Sequence, residues 1–174
     1  MARPVILLAG IPGSGKSAFG QWLSSVKGHI HVDLEKDGLD KYRFRECWNR
    51  FFQNTSSPDF VDVLLRHVNP IALDWGFPVE CLHVVAALQR HGVVLWWFTG
   101  DRLYTRKYFE ARGTVPCVAF DNQYARISAS WADIAPLFGS NIVHTVRTDG
   151  SHASNEEIYH QIRVSFGGHC SVGT

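Results

Sequence analysis

The chain has 174 residues, 45% of them hydrophobic and 19% charged, with a formal net charge of +1. Those values fit one soluble globular domain over residues 1–174 and exclude a disordered polyelectrolyte or a general attraction for nucleic acid or anionic membranes. Phosphate binding must therefore come from local cations, and 12 of the 17 basic residues are Arg, the side chain suited to bidentate phosphate contact. Cys47, Cys81, Cys117 and Cys170 are scattered without a C-x-x-C pair, which suggests neither zinc nor a redox motif and fits reduced thiols in a cytoplasmic protein. The apolar run after Arg3 is too short for a signal peptide, and no stretch reaches membrane-spanning length, so no membrane partner is expected.

Val5 to Ala9 reads as a buried strand and runs directly into Gly10-Ile11-Pro12-Gly13-Ser14-Gly15-Lys16-Ser17. The spacing G-x-x-x-x-G-K-S carries a mechanism. Its glycines permit a backbone path whose N–H groups converge on phosphate oxygens, the lysine reaches the outer phosphates, and the serine hydroxyl is available to Mg²⁺. Ala18, Phe19, Trp22, Leu23 and Val26 continue as one face of a helix over 17–26, so strand, loop and helix follow in the required order. Gly10 to Ala18, with Ile11, Pro12, Gly13, Ser14, Gly15, Lys16 and Ser17 between them, are the expected nucleotide-binding residues.

The second strand is expected at Ile30–Asp33, where His29 and His31 spell an H-x-H pair. With no third ligand in view this reads as ordinary strand, and no metal cluster is expected. Residues 34–68 then form an insert of about 35 residues, longer than a crossover needs and a place for an acceptor-binding subdomain. Its helical stretch Leu39 to Phe52 sets Phe44, Trp48, Phe51 and Phe52 near one side, with Lys41, Arg43, Arg45 and Arg50 on others. Two readings stand: aromatics and arginines holding a base or sugar and its phosphate, or a core-facing stripe with a solvated basic face.

Further strands are expected at Pro70–Asp74, Val93–Phe98 and Asn141–Val146. Helical patterns cover 79–91, 102–112, a stretch within 121–138, and 154–165, the last opened by the capping-box spelling Ser154-Asn155-Glu156-Glu157. Such alternation predicts an α/β fold with a five-stranded parallel sheet and crossover helices; the tail 167–174 looks loose.

Ligands of open parallel sheets bind beyond the carboxyl ends of the strands, where Asp33 and Asp74 stand. Asp33 is assigned as the base that accepts a proton from an acceptor hydroxyl and Asp74 as the partner of Mg²⁺. Asp37 rivals Asp33, and either aspartate also suits a strand-terminal turn. After the fourth strand, Arg102 and Arg106 stand four apart, sharing one helix face in a lid over 100–120, with Arg112 rotated away. An arginine-bearing lid supplies charge and excludes water; an exposed amphipathic helix is the alternative.

In these features the chain resembles the small P-loop kinases: adenylate, shikimate, gluconate and polynucleotide kinases and the zeta-type toxins. The resemblance implies a P-loop NTPase three-layer fold with strand order 2-3-1-4-5, an acceptor region between strands 2 and 3, and an arginine lid matched by Arg102 and Arg106. Leu73-Asp74-Trp75-Gly76-Phe77-Pro78 is similar to the L-D-G-F-P-R of adenylate kinases, with Trp75 added and Val79 where their AMP-phosphate arginine would be. That departure favours an acceptor hydroxyl over a nucleoside monophosphate. No N-K-x-D run is present, so ATP is the implied donor, its adenine expected around Arg147 to Ser151. The resemblance implies an ATP- and Mg²⁺-dependent kinase acting on a hydroxyl of a small metabolite, nucleoside or nucleic-acid end. A nucleotide-binding regulatory protein with weak ATPase activity is the alternative reading, and a nucleotide kinase a lesser one.

Overall fold

The computed structural model describes residues 4–113 and 116–167. Five strands, β1 (Val5–Gly10), β2 (Ile30–Asp33), β3 (Ile71–Asp74), β4 (Val94–Gly100) and β5 (Ile142–Val146), pair in parallel in the order β2-β3-β1-β4-β5. The helices are α1 (Lys16–Lys27), α2 (Gly38–Lys41), α3 (Arg45–Gln53), α4 (Asp59–Leu65), α5 (Leu82–Arg90), α6 (Arg102–Ala111), α7 (Cys117–Ala129), α8 (Trp131–Phe138) and α9 (Asn155–Gly167), with a 3₁₀ turn at Val79–Cys81. This is the three-layer α/β arrangement and strand order expected from the sequence. The pattern expected within 121–138 resolves into two helices, α7 and α8, and the tail from 168 onward lies outside the described residues.

The central strand is apolar throughout because both of its faces are covered. Val5, Leu7 and Ala9 enter one core with Phe51, Phe60, Val85 and Phe138, while Ile6 and Leu8 enter the other with Phe19 and Leu23 of α1 and Ile158 and Ile162 of α9. The register sets Leu8 opposite Asp74 and Asp74 opposite Asp33, so Asp74 ends β3 beside β1 and Asp33 ends β2 one strand further out, next to Asp74. Two further bonds carry the ladder past these residues: Trp75 N–H donates to the Leu8 carbonyl at 3.1 Å, and Leu34 N–H to the Asp74 carbonyl at 3.0 Å.

The insert departs from expectation. In place of one helix from Leu39 to Phe52 there are two, α2 and α3, separated at Arg43, which takes a left-handed conformation with φ of 59°. Phe44, Trp48 and Phe51 are buried, whereas Phe52 is exposed. Trp48 meets Phe60 edge-on at 5.1 Å and Trp75 at 5.3 Å, so the Trp75 that interrupts the adenylate-kinase-like spelling joins the insert to the sheet. Arg45 pairs with Asp40, and Arg50 with Glu46, on the surface. The aromatics of this helix are thus a core stripe and these arginines a solvated face.

Phe60 has no exposed surface and lies between Trp48 and Phe51. Phe60→Ala is expected to cost about 3–5 kcal/mol. In urea unfolding this appears as a lower midpoint at unchanged slope; a loss below about 1 kcal/mol would contradict the anchoring role.

Candidate active site

The loop after β1 is held in place by backbone contacts that exclude side chains. Gly10, Gly13 and Gly15 have φ of 140°, 76° and 84°. A Cβ at Gly10 would lie 2.0 Å from the Phe98 carbonyl oxygen, and one at Gly13 2.1 Å from that of Thr105 in α6. Thr145 of β5 adds a tie, its hydroxyl donating to the Ser14 carbonyl at 2.6 Å, while the Ser14 hydroxyl donates to Ile11 at 2.8 Å. Gly15 supplies no side-chain cap to α1, whose first turn carries no acidic residue. The first N–H groups of α1 and its dipole therefore stand ready for an anion, and no Cβ at Gly15 intrudes on the cradle. The residues present fit nucleotide phosphates.

Lys16 arches back over this loop, its Nζ donating to the Gly10 and Ile11 carbonyls at 3.2 and 3.1 Å. Burial lowers its pKa; the charges of Asp74 and Glu35 oppose that shift and Arg112 adds to it. Asp74 is buried, with Oδ2 3.4 Å from His31 Nε2. Burial pushes the Asp74 carboxyl up, but His31, the Lys16 ammonium and the Ser17 hydroxyl outweigh it and hold the pKa below the usual range. Gly20 makes room for His31: a Cβ there would fall 2.4 Å from its ring. In the H-x-H pair, then, His31 supports Asp74, while His29 has a buried Nδ1 without a partner among the described residues.

Asp33 sits beside Asp74 as expected, but its Oδ1 accepts the N–H groups of Glu35 at 2.9 Å and Lys36 at 3.2 Å, and Lys36 Nζ lies 3.6 Å from Oδ2. It closes the turn that leaves β2. That turn turns Glu35 toward the site: its Oε2 lies 3.4 Å from where a Gly76 Cβ would stand. The carboxyl of Glu35 keeps solvent contact, yet burial pushes its pKa up, opposed by the Gly76 backbone bond and Lys16 and helped by Asp33 and Asp74. Sequence reasoning missed Glu35; the signal was a second acid two residues after the strand-ending Asp33. Asp37 is exposed at the start of α2. Among the described residues no group of three or more His, Cys, Asp or Glu is arranged to hold a metal unaided.

In the lid, Asp101 caps α6 by accepting from Leu103 and Tyr104 N–H. Arg102 and Arg106 share a face as expected, and both meet Asp121 of α7, at 3.6 and 3.1 Å. Arg106 also pairs with Glu110, and the Arg102 guanidinium lies 4.7 Å from the Tyr124 ring centre. Arg112, set aside in the sequence as rotated away, follows the last turn of α6, and its charge is felt at Lys16. Residues 114 and 115 of the expected lid lie outside the described residues. α6 rests on the turn at 147–151: Tyr108 Oη donates to the Gly150 carbonyl at 2.7 Å, and Gly150 backs onto the Tyr104 ring.

No protein-family model matches the chain. It is 25% identical over 173 residues to an adenylate kinase isoenzyme 6 homolog of Caenorhabditis elegans, across 90% of this chain and 86% of that one. A gluconokinase from Sinorhizobium meliloti 1021 superposes with a TM-score of 0.53 at 14% identity, covering 97% of this chain and 100% of that one. A shikimate kinase from Acinetobacter baumannii, solved in complex with shikimate, gives a TM-score of 0.56 at 13% identity over 97% and 96% of the two chains.

Because the folded-state pKa of Asp74 is lowered, the stability it confers is complete above the ordinary carboxylate range and is lost as pH falls through the folded pKa. Asp74→Asn is expected to flatten the loss of unfolding free energy from about pH 5 downward in a urea series. An acid limb as steep as that of the unsubstituted chain would contradict the pairing.

Proposed function

We propose that this chain, which has the fold of the small P-loop kinases and resembles them in its phosphate loop and lid, moves the γ-phosphoryl group of ATP to a hydroxyl of a small acceptor in the cytoplasm. The observation that carries the reading is the convergence of Lys16, Asp74 and Glu35 beside the uncapped start of α1. The backbone of Gly10 to Ala18 and the Lys16 ammonium hold the phosphates. Ser17 and Asp74 are the residues suited to Mg²⁺, which when bound neutralises charge on the phosphate oxygens; a hydroxyl and one carboxylate suffice because that ion keeps several waters.

The acceptor hydroxyl gives its proton to a carboxylate as its oxygen bonds to the γ-phosphorus, and the bond from that phosphorus to the β,γ-bridging oxygen breaks to leave ADP. Asp33 was expected as the base, but two N–H donors already occupy its Oδ1. Glu35 is the better candidate: its carboxyl lies beside Gly76, it is not committed to the turn as Asp33 is, and burial pushes its pKa up. Asp33 then serves by shaping the turn that presents Glu35. Arg112 supplies charge close to Lys16, and Arg102 and Arg106 close over the phosphoryl group after leaving Asp121. A nucleoside-monophosphate acceptor, the reading favoured by the adenylate kinase homolog, lacks its phosphate-binding arginine where Val79 stands.

ADP release measured over a panel of hydroxyl-bearing acceptors tests the proposal. Lys16→Ala is expected to abolish acceptor-stimulated release, and Glu35→Gln to lower kcat by about 10²- to 10⁴-fold. Asp33→Asn should cost less than about tenfold, the scale of one weakened hydrogen bond. The reverse ranking of the two carboxylates returns the base role to Asp33. ATP turnover that no acceptor stimulates favours the regulatory-protein reading.

A further inference from the structure

On the face of the sheet covered by Phe19 and Leu23 of α1, His31 shares its side with apolar residues: Ala72 stands opposite it on β3, and Ile6 and Leu8 follow on β1. The small Ala72 leaves the ring room to reach diagonally to the next residue on that face of β3, Asp74, whose Oδ2 lies 3.4 Å from His31 Nε2. The two side chains are 12% and 5% exposed, so little water reaches the pair. An ionised carboxylate only accepts, which makes Nε2–H the donor.

The fold does not need this ring to bring β2 to β3, because the backbone ladder from Ile30 and Ile71 to Asp33 and Asp74 already joins them. The fold instead gives something up for it. Gly20 stands inside α1, where glycine is less favourable than alanine, and a Cβ there would fall 2.4 Å from both Nε2 and Cδ2 of His31. Gly20 follows Lys16 by four and Ser17 by three, so the ring is seated on the side of α1 that carries those two residues. His31, Lys16 and Ser17 all stabilise the Asp74 anion. In the proposed reaction Lys16 serves the phosphates and Ser17 the metal ion, which leaves His31 as the partner with no other task there.

We propose that His31 is a positioning residue: its Nε2–H holds one oxygen of Asp74 and so fixes the carboxylate, leaving the other oxygen for the hydrated Mg²⁺ that accompanies the nucleotide, and Gly20 is the space this ring requires. The proposal rests on the assignment of Asp74 to the metal side in the kinase reading.

Binding of ATP to the full chain, measured by calorimetry at increasing MgCl₂, tests this without any acceptor. Mg²⁺ is expected to tighten ATP binding by the unsubstituted chain. His31→Phe, which keeps the bulk of the ring and loses its donor, is expected to raise the Mg²⁺ concentration giving half of that effect about 10- to 100-fold, with ATP binding in the absence of Mg²⁺ held within about threefold. His31→Gln, whose amide can place a donor near the position of Nε2, is expected to recover most of the loss. Gly20→Ala keeps His31 but displaces its ring, and is expected to give a similar rise while adding little to His31→Ala. Should His31→Phe fail to fold, Gly20→Ala carries the same test. An unchanged Mg²⁺ requirement in these variants, or ATP binding weakened equally with and without Mg²⁺, overturns the inference. Asp74→Asn separates it from the reading beneath: a raised requirement in Asp74→Asn alone keeps the metal-side assignment and removes the role of His31. ATP binding that Mg²⁺ does not alter in the unsubstituted chain, or a requirement that no variant changes, removes both.

Discussion

The structure depends on backbone packed against backbone where β1 ends. Gly10 lies against Phe98 of β4 and Gly13 against Thr105 of α6, at distances that leave no room for a Cβ. Each glycine costs conformational entropy on folding, of the order of 0.5–1 kcal/mol relative to alanine, so such a loop persists only where its surroundings hold it. Here the surroundings are the two apolar cores on either face of β1 and the Thr145 tie from β5. The result is a helix that starts without a cap directly over the carboxyl edge of the sheet.

Charge around that edge is organised by burial. Lys16 rests on two carbonyls, with Asp74 and Glu35 answering its charge. The carboxylates differ through their neighbours. Asp74 is stabilised as the anion by His31, Lys16 and Ser17, Asp33 is committed to a turn, and Glu35 is pushed toward its neutral form. Three acids close together in the fold thus differ in character, one stabilised as the anion, one held in a turn and one pushed toward its neutral form. Asp121 of α7 answers Arg102 and Arg106 of α6, while the charge of Arg112 is felt at Lys16.

What the sequence made legible was what depends on short-range periodicity. A buried run, a glycine-rich loop and an amphipathic helix identify β1, the loop after it and α1, and strand ends identify Asp33 and Asp74, which the register brings side by side. Glu35 was illegible because its direction depends on the turn Asp33 makes, and Arg112 because its relation to Lys16 depends on where α6 ends. The break at Arg43 needed the pull of tertiary packing on Phe44 and Trp48, which a helical pattern alone cannot register. The pairing of Arg102 and Arg106 with Asp121, 15 residues beyond Arg106, likewise required the packing of α6 on α7.

If the uncapped start of α1 is a phosphate cradle, its amides are covered when ATP binds. Amide hydrogen exchange of residues 13–18, measured with and without Mg²⁺ and ATP, tests this most directly. Strong added protection at these amides, absent in Lys16→Ala, is the result predicted by phosphate oxygens accepting from the loop's N–H groups. Exchange at residues 13–18 that saturating ATP leaves unchanged, with protection appearing elsewhere, would contradict it.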